Sequence, residues 1–80
     1  MDTLNYTILL EADEEKGGFV VSVPALPGCF TYGTNYENAL ANAQEAILCY
    51  LDGLVADGEP LPREPHPVVS EIQVSLPMPR

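Results

Sequence analysis

Apolar and polar residues alternate at every second position in short stretches of this chain, and a spacing of three and four replaces that alternation once. Residues Leu4 to Glu11, LNYTILLE, are rich in strand formers, with Tyr6, Ile8 and Leu10 on one face and Thr7 and Leu9 on the other. The following ADEEKGG carries three acids, a lysine and two glycines, the makings of a polar turn between antiparallel strands. Phe19 to Val23, FVVSV, predicts a second strand with Phe19, Val21 and Val23 on one face. Pro24 has no N–H to give a ladder, and Pro27-Gly28 signals a turn. Cys29 to Tyr32, CFTY, is then a short third strand before Gly33.

From Asn35 to about Ala56 the pattern becomes helical. Leu40, Ala43, Ile47, Tyr50 with Leu51, and Leu54 form one apolar stripe, flanked by Ala39 and Ala46, which let a helix lie close to a sheet. Glu37, Gln44, Glu45 and Asp52 take the opposite side. Thr34 stands three residues before Glu37, the spacing at which two side chains satisfy each other's backbone donors at a helix start. Gly58 is a left-handed stop.

Glu59 to Pro67 holds four prolines and reads as a stiff, extended connection. The alternation returns in VVSEIQVSL, residues 68–76, where Ile72, Val74 and Leu76 oppose Glu71, Gln73 and Ser75, and predicts a fourth strand with one wet face. The expected fold class is α+β, in the order β-β-β-α-β: an antiparallel sheet with one helix packed on it, as a single domain over residues 1–80.

Charge changes this picture more than composition does. Twelve acidic residues against three basic ones give a net charge of −9. Such a surface repels phosphate backbones, because nucleic-acid binding relies on cations displacing counterions. It attracts a cationic partner and speeds the encounter. The plainer account is that acidity keeps a small protein soluble. At 80 residues the core is thin, supplying roughly 3–5 kcal/mol unless something is added to it. Self-association is one such addition. No apolar run approaches the roughly 18 residues that span a membrane, and the acidic start MDTLNY is unlike a secretory signal, so the cytoplasm is the expected location.

Reactive groups in catalytic arrangements are sparse in this sequence. Cys29 and Cys49 form no CxxC pair, and with the single His66 they fall short of the four ligands a zinc site needs. His66 sits between prolines, in a loop. No nucleophile elbow and no phosphate-cradling glycine loop is present. Glu11, Asp13, Glu14 and Glu15 cluster in sequence, but a two-metal nuclease needs carboxylates converging from separate elements, and no second cluster completes a cage. No catalytic residue, cofactor or metal is expected. The residues expected to meet a partner are the acidic turn Asp13, Glu14 and Glu15 and the loop Ala25, Leu26, Pro27, Gly28 and Cys29, both read as exposed beside a sheet edge.

The run FVVSVPALPGCFTYGTNYENALANAQEAI resembles the N-terminal domain of HicB-type antitoxins from prokaryotic toxin–antitoxin pairs. The features that carry the resemblance are Val23-Pro24, Leu26-Pro27-Gly28-Cys29, Gly33-Thr34 and Glu37-Ala39-Leu40 in order, followed by DGEPLP at residues 57–62. It implies a degraded ribonuclease-H-like sheet without that nuclease's carboxylates. It also implies a partner: a small, basic, RNA-cleaving toxin of the HicA type, whose active face is covered. Family members often carry a C-terminal DNA-binding domain. This sequence ends at Arg80, so direct nucleic-acid binding is not expected, whereas a homo-dimer or tetramer is. The alternative is a solo homo-oligomeric domain, structural or ligand-sensing, with no toxin partner.

Overall fold

Alternation, turn chemistry and a helical stripe produce the expected meander and helix. The computed structural model describes residues 3–64 and 70–77. It contains β1 (Leu9–Ala12), β2 (Phe19–Ser22), β3 (Phe30–Gly33) and α1 (Tyr36–Ala56). The three strands form one antiparallel sheet in the order β1-β2-β3. Leu10 lies opposite Val21 and Val21 opposite Thr31, while Ala12 pairs with Phe19 and Phe19 with Gly33. These residues share the face under the helix. The other face carries Leu9, Ser22 and Phe30 in one row and Glu11, Val20 and Tyr32 in the next.

The first strand is shorter than its sequence pattern. Residues 4–8 run on without ladder pairing, yet the alternation holds beyond the ladder, because Tyr6, Ile8 and Leu10 all pack against the core. The third strand is displaced by one residue and takes in Gly33. That glycine is required for packing: a Cβ there would come within 2.2 Å of the Ala39 backbone. Strand and helix touch through Gly33 and the small Ala39 and Ala43, both buried in α1. The stripe facing the sheet is therefore centred on alanines, and Leu40 is turned toward solvent at its edge.

The helix start differs from the sequence expectation by one residue. Asn35, not Thr34, is the N-cap, and its Oδ1 accepts from the Asn38 N–H at 2.7 Å. Asn38 Oδ1 in turn accepts at 2.8 Å from the N–H of Thr34, the residue before the cap, so Asn38 closes the helix start where Glu37 was expected. Asn42 Nδ2 donates to the Tyr32 carbonyl at 2.7 Å and ties the helix to β3. At the far end Gly58 is left-handed (φ 72°), the Glu59 N–H donates to the Leu54 carbonyl and the Gly58 N–H to that of Val55. These two bonds are the Schellman closure, which satisfies carbonyls the helix leaves open.

The last predicted strand is not formed among the described residues. Residues 70–77 pair with no strand, and Ile72, Val74 and Leu76 are 82%, 79% and 75% exposed. Val68, Val69 and His66 lie outside the described residues. A strand needs a neighbouring edge to satisfy its backbone, and alternation alone supplies none.

Candidate partner-binding surfaces

The acidic turn and the proline loop lie at opposite ends of β2, one before Phe19 and one after Ser22. They form two surfaces, not one.

At the first end the turn is closed by its own hydrogen bonds. Asp13 Oδ1 accepts from the Glu15 and Lys16 N–H groups, both at 3.1 Å, and the Asp13 backbone exchanges bonds with Gly17 and Gly18. Gly17 and Gly18 carry φ values of 78° and 77°, a conformation that glycine adopts without strain. The Tyr32 hydroxyl reaches across the sheet to the Gly17 carbonyl at 2.5 Å. Asp13 is thereby a structural residue, half-buried, whereas Glu14 and Glu15 project into solvent. Glu11 continues the acidic surface onto the outward sheet face.

The loop at the other end corrects the sequence expectation. Two successive turns, closed by Leu26 N–H to the Val23 carbonyl and Cys29 N–H to that of Leu26, fold it back under the sheet. Leu26 is 0% exposed and Cys29 is buried beside it, packed with Val23 in the second core cluster. Only Pro27 and Gly28 face outward, with Ala25 half-buried. An apolar side chain in a small domain goes to the core whenever the turn permits it, and these turns do. Burial, and secondarily Cys49, push the Cys29 thiol above its ordinary value.

A third surface was not singled out by the sequence. On the outward sheet face Leu9, Val20, Phe30 and Tyr32 are all exposed, Phe30 by 66%. The signal is present in the alternation itself, since four of the six outward positions on the three strands, Leu9, Val20, Phe30 and Tyr32, are apolar, beside Glu11 and Ser22. A fourth is an uncharged groove of about 620 Å³ between residues 4–8 and α1, walled by Leu4, Tyr6, Ile8, Leu40, Ile47 and Leu51. It exists because the helix lies mainly over β3 and less over β2, leaving the β1 side open.

Among the described residues no three of His, Cys, Asp or Glu converge where they could hold a metal ion. No described helix is long and apolar enough to cross a membrane.

The chain is thus a small α+β domain whose visible assets are surfaces for contact: one acidic end, one apolar sheet face and one apolar groove. It belongs to the family described as HicB-like antitoxin of bacterial toxin–antitoxin system, whose profile matches residues 6–75. It is 46% identical to a UPF0150 protein of Thermoplasma acidophilum over 61 residues, covering 76% of this chain and 87% of that one. A UPF0150 protein of Synechocystis is 43% identical over 60 residues, 75% of each chain. An uncharacterized 14.9 kDa protein of Haemophilus phage HP1 is 43% identical over 58 residues, covering 72% of this chain and 42% of the phage protein.

Proposed function

We propose that this chain is an antitoxin that neutralises a small, basic, RNA-cleaving toxin of the HicA type, by covering the cationic face with which that toxin holds RNA. Family membership over residues 6–75 carries the reading. The charge of −9 supports it, because an anionic domain competes with RNA phosphates for the same cations. The contact is assigned to the acidic end, where Glu14 and Glu15 project and Glu11 leads onto the apolar sheet face with Val20, Phe30 and Tyr32. Charge steers the encounter and the apolar face holds it. Inhibition is by obstruction, without a cofactor, a reactive group or direct nucleic-acid or membrane contact, and the protein acts in the cytoplasm as a homo-oligomer.

The test is the association rate with purified toxin at several salt concentrations. Binding should weaken as salt rises. Glu14→Lys with Glu15→Lys should slow association at least tenfold at low salt and leave the melting temperature nearly unchanged. Asp13 is spared, since its carboxylate holds the turn. Equal rates for parent and variant would remove the acidic turn from the contact.

A further inference from the structure

Two unpartnered features of this chain fit one another. The first is the groove beside α1, whose walls carry no charged residue. The second is the segment 72–77, IQVSLP, also uncharged, with its three apolar side chains exposed. We propose that residues 72–76 of one copy lie in the groove of a second copy, and reciprocally, so that the chain forms a two-fold dimer by exchanging C-terminal segments.

Length, charge and face all agree with this. From Ile72 to Leu76 an extended segment spans about 13 Å. From Leu40 to Leu51 the helical wall runs about 16 Å. Placing Ile72, Val74 and Leu76 in the groove leaves Glu71, Gln73 and Ser75 in water. Two chains of −9 repel, and contact between uncharged surfaces adds least to that repulsion; these two are uncharged. The chain also leaves the body beside the groove: the Tyr6 hydroxyl, on its wall, donates to the Pro62 carbonyl at 2.5 Å. Within one chain the segment stands off the body. The molecule is 58 Å in its longest dimension, and a helix of 21 residues accounts for only about 31 Å of that. Each copy thus offers one segment and one groove, the self-complementary arrangement a two-fold axis requires.

The exchange is independent of the toxin reading and uses a different face. Its salt dependence has the opposite sign: screening the repulsion strengthens the dimer, whereas it weakens contact with a cation. The experiment is sedimentation equilibrium of the full chain, without toxin, over a concentration series at low and high salt. A monomer–dimer equilibrium that tightens with salt is expected, and Ile72→Asp with Val74→Asp should weaken it at least tenfold with unchanged helical circular dichroism. In a Cys49→Ser background, a Val74→Cys chain mixed with a Leu48→Cys chain should then form a disulfide between the two. A protein monomeric at every concentration, a dimer indifferent to the aspartates, or a disulfide formed only within a doubly substituted chain would overturn the proposal.

Discussion

Phe19–Val23 and Ile72–Leu76 carry the same alternation of branched apolar and smaller or polar residues, and they have opposite fates. The first lies at the centre of the sheet, with Val21 0% and Val23 3% exposed. The second is unpaired and at least 75% exposed at each apolar position. The difference lies in what flanks them. Short glycine- and proline-bearing turns bring an edge to each side of Phe19–Ser22, at Leu9–Ala12 and Phe30–Gly33. Ile72–Leu76 follows a long proline-rich connection that delivers it to no edge among the described residues. Alternation defines the faces of a strand. Its partner is defined by the turns.

The contrast is broken most strongly by truncating its buried side. Leu26→Ala should cost about 2–5 kcal/mol, a large share of what so small a domain has. Val74→Ala, in dilute protein, should stay within about 0.5 kcal/mol. Urea unfolding of the two variants measures both, and equal losses would mean that the exposed segment is packed in the monomer. Next in size is Gly33→Ala, whose methyl group would press on the Ala39 backbone and lever the helix from β3. A loss of about 1–3 kcal/mol is expected from overpacking, with reduced cooperativity of unfolding. Asn35→Ala should cost about 1 kcal/mol by removing the helix cap, and Thr34→Ala clearly less. The reverse order would restore the cap to the threonine. The smallest effect is a pH dependence. Because burial raises the Cys29 thiol, the folded chain holds that proton more tightly than the unfolded one. Its contribution is complete below the ordinary thiol value of 9.0 and is lost as pH rises through the folded value. The melting temperature should therefore begin to fall above about pH 9, and Cys29→Ala should flatten that fall.

Most of the fold was legible because it rests on local signals. The hairpin glycines, Pro27-Gly28, the helical spacing and the Gly58 stop each act within a few residues. The cap falls one residue later than the spacing predicts because Thr34 and Asn35 are both good capping types and stand side by side, and their order in sequence does not choose between them. The candidate site was legible only in part. Glu14 and Glu15 are exposed as a charge run in a turn should be. Leu26 and Cys29 are not, because two consecutive turns fold the loop inward, and nothing in its composition tells an inward turn from an outward one. The apolar groove was hidden for the same reason. It depends on where the helix crosses the sheet, which the spacing of apolar residues along one element does not specify.

Blockade of a cationic enzyme by an anionic sheet is the central proposal. The most direct measurement is RNA cleavage by the purified HicA-type toxin as this chain is titrated in. Cleavage should vanish at equimolar protein and reappear as salt is raised. Undiminished cleavage at a large molar excess of the chain, at low salt, would contradict it.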